Sequence, residues 1–215
     1  MDIVNPAIEA YALGLVPPRD AALAAIERSA DEKNLPIVEP LEGHFLHLLA
    51  RVARARTVLE LGTCNGYSAT WLGRAVAPNG GSVLTIEFDP ERAEDSRRNL
   101  ASAGLSDIVT VRQGDALDIL AGLTDQYDIV FNDLLRSFRD ETRMRRLFEL
   151  TTARVRPGGL LISDNALHGG NVINPGDQPG PRAIALHNQL LVAHPDFITS
   201  MVPMRDGIAL SYRVR

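Results

Sequence analysis

Short β-type runs alternate with longer amphipathic stretches along most of this chain, and the alternation limits the folds it can adopt. Five brief apolar runs have the composition of strands buried on both faces: residues 57–62, 82–88, 108–113, 127–132 and 159–164. Helical patterns lie beside them, at residues 41–52, 68–77, 90–103 and 140–155. The first 35 or so residues read as one or two helices interrupted by Pro17 and Pro18. This order predicts an open α/β sandwich with right-handed crossovers.

The carboxyl-terminal end breaks the alternation. Residues 197–204 and 208–214 are two further β-type runs, and only three residues, Arg205–Gly207, separate them. Such a connection is too short for a crossover, and Asp-Gly favours a hairpin, so we expect the last two strands to be antiparallel. A seven-stranded, mostly parallel sheet with a reversed final hairpin and helices on both faces resembles the Rossmann-like fold of class I methyltransferases. A parallel NAD-binding sheet does not predict the hairpin.

Composition excludes several classes of partner. The 215 residues include 22 Lys and Arg against 27 Asp and Glu, a net charge of −5, which argues against a nucleic-acid-binding surface. No apolar run reaches the ~18 residues of a membrane span. The first residues lack the basic head and apolar core of a signal peptide. With a single cysteine, Cys64, no intrachain disulfide is possible. We therefore expect a cytoplasmic protein without a membrane or nucleic-acid partner.

Acidic residues follow five consecutive predicted strands. Ligands of open parallel sheets bind beyond the carboxyl ends of the strands, so these side chains are expected at the binding edge: Glu60, Glu87, Asp115, Asp133 and Asp164. Each could instead cap the helix that follows it. Five acids at one edge would repel a polyphosphate and attract cations, and a sulfonium and a divalent metal are both suitable ligands.

The loop after the first strand is rich in glycine. Gly62-Thr63-Cys64-Asn65-Gly66 lacks the Lys-Ser/Thr of a phosphate-binding loop, and Cys64 stands where the dinucleotide motif requires glycine. It could be no more than a tight turn, or it could let the backbone approach a cofactor. Glu87, at the end of the second strand, is placed to bind both hydroxyls of a ribose. Together these features favour an adenosine cofactor without a polyphosphate, such as S-adenosylmethionine.

A possible metal site follows the fourth and fifth strands. Asp133, Asp164 and Asn165 would supply three oxygen ligands and no His or Cys, a set that suits Mg²⁺, with Ca²⁺ or Mn²⁺ as alternatives. The other reading of Asp164 and Asn165 is a simple loop turn, which Asx residues often start.

Several segments together resemble the cation-dependent O-methyltransferases, the family of the catechol and caffeoyl-CoA O-methyltransferases and their small bacterial relatives. The resemblance spans roughly residues 35–215 and is carried by PIVEPLEGHFLHLL, VLELGTCNGYSATWLG, IEFDPER, QGDAL, RPGGLLISDNALHGG and MRDGIALSYR. It implies an S-adenosylmethionine-dependent, divalent-cation-dependent enzyme that methylates a catechol-like phenolic small molecule.

The resemblance also implies roles for individual residues. Those expected to contact the methionine end of the cofactor are Glu60, Gly62, Thr63, Tyr67 and Ser68. Val38 is expected to contact the cofactor from the helix entrance that closes over it. Glu87 is expected to bind the ribose, and Asp115 and Ala116 to lie at the edge of the adenine. Asp133, Asp164 and Asn165 match the three metal ligands, and Asp133 is also expected beside the cofactor and in catalysis.

Two positions depart from the family pattern. Arg136 stands where the family has the lysine that acts as base, and an arginine stays protonated at any working pH. Arg136 could still stabilise a phenolate, while a metal lowers the pKa of the substrate hydroxyl and solvent takes its proton.

His168 replaces the usual tryptophan and is either an alternative base or a loop histidine. Residues 166–182 form a Gly- and Pro-rich loop that would shape the acceptor pocket or merely connect two elements.

Residues 1–35 are predicted to be amino-terminal helices that cap the protein or form a dimer, and residues 36–215 the methyltransferase domain. Residues 1–35 have more apolar side chains, such as Ile8 and Tyr11, than a monomer needs, which favours a homodimer.

Three rival functions stay open: a nucleotide-binding oxidoreductase, a tRNA methyltransferase, and a cofactor-binding homologue with an atypical acceptor or reduced catalysis because of Arg136. The missing dinucleotide motif disfavours the first and the lack of a basic patch the second.

Overall fold

The computed structural model describes residues 3–215, so Met1 and Asp2 of the predicted amino-terminal segment lie outside the described part. Its strands are β1 (Thr57–Leu61), β2 (Ser82–Glu87), β3 (Val109–Gln113), β4 (Tyr127–Asn132), β5 (Val155–Ser163), β6 (Phe197–Val202) and β7 (Ile208–Arg213). They form a sheet with the strand order β3-β2-β1-β4-β5-β7-β6. The seven strands predicted from the sequence are therefore present, most of them within two residues of their predicted ends.

The helices are α1 (Pro6–Gly14), α2 (Ala21–Lys33), α3 (Pro40–Val52), α4 (Tyr67–Val76), α5 (Pro90–Ser102), α6 (Ala116–Gly122), α7 (Glu141–Arg154) and α8 (Pro179–Ala193). Their starts follow local chemistry. Asp20, Asp89 and Asp140 each accept a hydrogen bond from a first-turn backbone amide, and so cap α2, α5 and α7. None of the helices within residues 3–215 combines the length and the hydropathy of a membrane-spanning segment.

The chain divides into two compact units, and Ala10–Ala116 form one of them. Here β1 pairs with β2 and β2 with β3, all in parallel. The α3 and α4 helices pack closely, because a Cβ at Gly43 would lie only 2.4 Å from the Trp71 indole. The Tyr67 hydroxyl donates to Glu27 (2.6 Å), which tethers α4 to α2. The loop after β1 is thus held on a rigid base.

The other unit consists of the residues up to Glu9 and Leu117–Arg215. Strands β4 and β5 are parallel, whereas β7 is antiparallel to both β5 and β6. The antiparallel terminal hairpin predicted from the Asp206-Gly207 turn is confirmed. Gly207 has φ +85°, and a Cβ there would lie 2.3 Å from Leu167 Cγ, so the turn requires glycine.

Two local expectations are corrected by the structure. Strand β5 begins at Val155, directly after α7, rather than at 159. Its pairing with β4 shifts register between Tyr127 and Ile129, so the Pro157-Gly158 segment is accommodated as a bulge. The loop expected over 166–182 is shorter, because α8 begins at Pro179, a first-turn position where the missing amide costs no hydrogen bond.

Helix α8 buries a polar ring. His187 is fully buried, its ring meets Phe148 edge-on, and neither ring nitrogen has a hydrogen-bond partner among residues 3–215. Burial lowers the pKa of this imidazole to about 4, and contact with Asn188 opposes the shift only in part. His187 is therefore a neutral packing residue of the α7–α8 contact at neutral pH.

Candidate active site

The glycine loop after β1 has the backbone that a close ligand approach requires. Gly62, Cys64 and Gly66 all have positive φ, at 95°, 51° and 88°. The amides of Gly62 and Thr63 both donate to the Ile86 carbonyl (2.9 and 3.3 Å), which fastens the loop to the end of β2. The loop is therefore an ordered turn built on residues of positive φ, a geometry that fits both readings of the sequence, a tight turn and a backbone open to a cofactor.

Asn65 anchors the same loop to two helices. Its side-chain amide donates to the Ile26 carbonyl of α2 (3.1 Å), and its own carbonyl accepts from the Asn99 side chain of α5 (2.8 Å). Because both contacts are internal, the loop is already fixed before any ligand arrives. Pre-organisation of this kind lowers the entropy cost of binding.

Glu87 lies at the end of β2 with its carboxylate locked by backbone amides. Oε2 accepts from Cys64 N (2.8 Å) and Oε1 from Asp89 N (2.9 Å). The side chain is only 7% exposed, so its rotamer is set by the fold. Each oxygen keeps a further lone pair, and the pair of acceptors suits the two hydroxyls of a ribose.

Glu60 is a fully buried acid in the same unit. Thr85, its register partner on β2, donates through Oγ1 to Glu60 Oε2 and also contacts the Thr63 hydroxyl. Glu60 Oε1 has no hydrogen-bond partner among residues 3–215. An unsatisfied buried carboxylate oxygen is costly, and a cationic ligand would supply the missing partner.

Burial raises the pKa of the Glu60 carboxyl from 4.5 to about 7; hydrogen bonds from Thr85 and Ser68 oppose the shift and the Glu87 charge adds to it. In the ligand-free protein this group therefore stabilises the fold fully below pH 4.5, and the contribution is lost as the pH rises through 7. Between pH 4.5 and about 7, the Glu60 carboxyl is ionised in the unfolded chain but still protonated in the folded protein.

Glu60→Gln should remove that dependence. From acidic to alkaline pH, the wild type should lose about 3 kcal/mol of its free energy of unfolding relative to the variant. Urea unfolding of both proteins at about pH 5 and about pH 8 measures it. Glu94→Gln, at an exposed carboxylate on α5, is the matched control. A stability difference that does not change with pH would show that Glu60 is ionised throughout.

The remaining residues predicted to bind the cofactor lie in the same unit, except Asp133, which belongs to the unit that contains Leu117–Arg215. Val38 and Ser68 are buried, Ala116 is the first residue of α6, and Asp115 immediately precedes it, half-buried. Tyr67 is different, because its ring is buried and its hydroxyl already bonds Glu27. A ligand contact of Tyr67 would therefore involve its backbone at the start of α4.

The predicted metal ligands meet at the ends of β4 and β5. Asp164 is 3% exposed, and its carboxylate is in hydrogen-bond contact with that of Asp133. Asn165 donates its backbone and side-chain amides to the two Asp164 oxygens (2.6 and 2.9 Å). Burial raises the pKa of the Asp164 carboxyl, and the Asp206 charge adds to the effect. Two carboxylates and an amide are thus brought together as the sequence predicted.

This donor set fits a divalent cation. Two carboxylates in contact, one of them buried, are relieved of their repulsion by a metal ion, and their oxygen atoms are the ligands that Mg²⁺, Ca²⁺ and Mn²⁺ prefer. Within residues 3–215 there is no metal-binding group of three or more His, Cys, Asp or Glu. The third ligand would therefore be the Asn165 amide oxygen, with solvent or substrate completing the coordination.

Arg136, expected to act on the phenolate, is paired with an acid. Its Nε and Nη2 both donate to Oδ2 of Asp206, at 3.0 and 2.6 Å. The guanidinium is about half exposed, whereas the Asp206 side chain is mostly buried. Asp206, which the sequence indicated only as a turn residue, is thus a neighbour that sequence analysis missed. No local signal marks it, because 70 residues separate the two partners.

His168 lies in the loop after Asn165, with a left-handed φ of 46°. Its carbonyl accepts from Asn171 Nδ2 (2.9 Å), and its Nε2 lies 3.7 Å from where a Cβ at Gly180 would be. The ring thus faces the start of α8, which agrees with a loop histidine. Its Nδ1 lies 3.4 Å from Asn171 Nδ2, and a role as the base stays a prediction.

A family model described as O-methyltransferase matches residues 19–214. The chain is also 33% identical over 216 residues to a catechol O-methyltransferase of Niastella koreensis, an alignment that covers 95% of both chains. The chain belongs to the O-methyltransferase family. The resemblance found in the sequence is confirmed, and so is the enzyme class, a methyl-transferring enzyme.

Two further relatives extend the comparison. A catechol O-methyltransferase of Mycobacterium tuberculosis is 35% identical, with 96% of this chain and 94% of the relative aligned. The O-methyltransferase TomG of Streptomyces achromogenes, solved in complex with S-adenosylmethionine, superposes with a TM-score of 0.85 at 31% identity, covering 97% and 96% of the two chains. The predicted class I methyltransferase fold is confirmed.

Proposed function

We propose that the protein is an S-adenosylmethionine-dependent O-methyltransferase that needs a divalent cation and methylates one hydroxyl of a catechol-like small molecule. The observation that carries the metal requirement is the buried Asp164 carboxylate in contact with Asp133, next to the Asn165 amide. The cofactor assignment is supported by the Glu60 and Glu87 carboxylates beside the glycine loop, and by the cofactor present in the TomG structure.

On the cofactor side, residues of this chain bind S-adenosylmethionine and orient it. Glu87, held by two backbone amides, accepts hydrogen bonds from the ribose hydroxyls. Glu60 gives a buried acceptor to the cationic methionine end, and it binds most strongly when ionised. Asp115 and Ala116 would border the adenine. Because the loop is fixed by Asn65, little binding energy is spent on ordering it.

On the acceptor side, Asp133, Asp164 and Asn165 would hold the cation. A divalent cation held there would supply positive charge that lowers the pKa of the acceptor hydroxyl. The acceptor oxygen then forms its bond to the methyl carbon as the sulfur–methyl bond breaks. The protein's own contribution is alignment of the reacting atoms.

The hydroxyl proton leaves without a lysine base. Arg136 stays protonated and is paired with Asp206, so it neither accepts the proton nor presents a free charge. We infer that the proton passes to solvent or hydroxide. The rate with a phenolic acceptor should then increase with pH as the acceptor itself ionises.

A matched acceptor pair tests the substrate class. We expect methylation of 3,4-dihydroxybenzoate with Mg²⁺ present, and about a hundredfold less of 4-hydroxybenzoate, because a lone hydroxyl lacks the second oxygen that would help to align the reacting one. Product formation is measured by chromatography, with the methylated position read from the retention of authentic standards. Equal rates on the two acceptors would contradict recognition of vicinal hydroxyls.

We also propose a homodimer through the amino-terminal helices. Ile8 and Tyr11 of α1 are 63% and 71% exposed, and Leu15, just after this helix, is 68% exposed. Exposed large apolar side chains so close in sequence are typical of a covered surface. Light scattering should give twice the mass of the chain at micromolar concentration, and a monomer mass would refute the dimer. The cytoplasmic location stays a prediction.

A further inference from the structure

Asp206 bridges two loops that follow the predicted metal ligands. Its Oδ2 receives both Arg136 donors, and Arg136 lies three residues after Asp133. Its Oδ1 accepts from the backbone amide of Gly169, in the loop that follows Asp164. A single carboxylate therefore ties the chain after β4 to the chain after β5.

The backbone of the hairpin turn strengthens the second of these links. The Asp206 carbonyl accepts from Leu167 N (2.9 Å), and the Gly207 carbonyl accepts from Ala166 N (2.8 Å). The absence of a side chain at Gly207 lets Leu167 pack against the turn, since a Cβ there would overlap it. The turn thus serves as a docking point for residues 166–169.

The docked loop has a backbone that needs external support. Asn165, His168, Gly169 and Gly170 all have positive φ, at 59°, 46°, 62° and 83°. Two of the four are not glycine, and such residues keep left-handed conformations only where surrounding contacts impose them. Asp206 and Gly207 provide contacts of that kind.

The chemistry of Arg136 fits the same picture. Arginine can place two N–H donors on one carboxylate oxygen, whereas a lysine at this position would offer a single flexible ammonium. The residue that departs from the family's lysine therefore has a structural partner in this chain. Its guanidinium holds Asp206 from one side while the Gly169 amide holds it from the other.

We propose that Asp206 is a positioning residue of the acceptor side, which holds the loop after Asp164 and Asn165 in the conformation that metal and acceptor binding require. The inference rests on the proposed function, because this loop matters to catalysis only if those two residues bind the metal. Asp206 acts on this loop through its contacts with Arg136 and Gly169, not through contact with the cofactor or the acceptor.

Two substitutions separate the contacts of Asp206. Asp206→Ala removes both the Arg136 pair and the Gly169 acceptor, whereas Asp206→Asn keeps an acceptor for Gly169 and weakens only the ion pair. Asp196→Asn is the matched control, since Asp196 pairs with Arg215 (2.8 Å) on the surface of the same unit. Urea unfolding of each variant first establishes that it folds.

Mn²⁺ titration in the presence of S-adenosylhomocysteine and steady-state kinetics on 3,4-dihydroxybenzoate give the functional readouts. In Asp206→Ala we expect Mn²⁺ affinity to fall about tenfold or more and the acceptor KM to rise by a similar factor, with kcat less affected. S-adenosylhomocysteine affinity should stay within about twofold. Asp206→Asn should show a smaller change, and Asp196→Asn none.

A double-mutant cycle tests the role of Arg136. If the two side chains act together, Asp206→Asn combined with Arg136→Met should raise the acceptor KM no more than either change alone. Effects that add would show that the two residues act separately, and would overturn the part of the proposal that runs through Arg136.

Amide hydrogen exchange gives a readout that does not depend on catalysis. Exchange at Gly169 should accelerate about tenfold or more in Asp206→Ala and little in Asp206→Asn. Unchanged exchange in a folded Asp206→Ala protein overturns the proposal, as does accelerated exchange with unchanged Mn²⁺ affinity and acceptor KM. If the wild type binds no Mn²⁺ and methylates no catechol, the proposed function fails, while Gly169 exchange still decides whether Asp206 holds the loop.

Discussion

Asp164→Asn will lower cation-dependent turnover of a catechol by about a hundredfold or more, because the substitution removes the buried member of the paired carboxylates. The variant keeps one oxygen for the Asn165 backbone amide and loses the acceptor of the Asn165 side chain, so the loop retains one of its two hydrogen bonds to this residue. Removing a charge that burial disfavours should not weaken the metal-free fold. Turnover with and without Mg²⁺, together with thermal unfolding in each condition, measures both effects.

The control for this prediction is Asp125→Asn. Asp125 is an exposed carboxylate just before β4, at the other end of that strand from Asp133. We expect it to leave turnover unchanged and to keep the rise in Tm that Mg²⁺ gives the wild type. An Asp164→Asn enzyme that still responds to Mg²⁺ as the wild type does would show that the metal binds elsewhere.

Glu87 is expected to contribute strongly to the affinity for S-adenosylmethionine. Glu87→Gln should weaken S-adenosylmethionine binding by about a hundredfold, because two charge-assisted hydrogen bonds to ribose hydroxyls, each roughly 1.5 kcal/mol, become neutral or repulsive. The carboxylate accepts from the backbone amides of both Cys64 and Asp89. In glutamine, one of these two amides would face the side-chain NH₂ group, which is itself a donor. Calorimetric titration gives the affinity directly.

Glu94→Gln serves as the reference for that titration, since Glu94 is an exposed acid on α5 that pairs only with neighbouring arginines among its described contacts. Its affinity for the cofactor should match the wild type. If Glu87→Gln binds within about threefold of the wild type, Glu87 is a loop anchor through Cys64 and the ribose lies elsewhere.

Much of the fold was predictable because it is encoded locally. Buried strands have characteristic apolar runs, and the Asp206-Gly207 turn marks the hairpin. Helix α8 was missed as a separate element because its first turn contains Pro179 and Pro181 after a Gly-rich stretch, a composition also typical of loops. The first residues of β5, before residue 159, were missed because its bulge contains Pro157 and Gly158, which ordinarily indicate the end of a strand or helix.

The site was predictable only in part, for a similar reason. Asp133, Asp164 and Asn165 could be placed together because strand ends of a parallel sheet share an edge. The partners that fix these groups are distant in sequence: Thr85 bonds Glu60 across 25 residues, and Asp206 bonds Arg136 across 70. Such pairs depend on register and loop geometry, which no local pattern encodes.

Cation dependence is tested most directly by methyl transfer from S-adenosylmethionine to 3,4-dihydroxybenzoate, assayed with the protein as purified, after EDTA, and after Mg²⁺ is restored. We predict that EDTA abolishes turnover while calorimetric cofactor binding persists, and that Mg²⁺ restores the rate. Turnover that EDTA leaves unchanged would contradict a metal-dependent O-methyltransferase, and the Asp133–Asp164 contact would then be a structural feature of the loop.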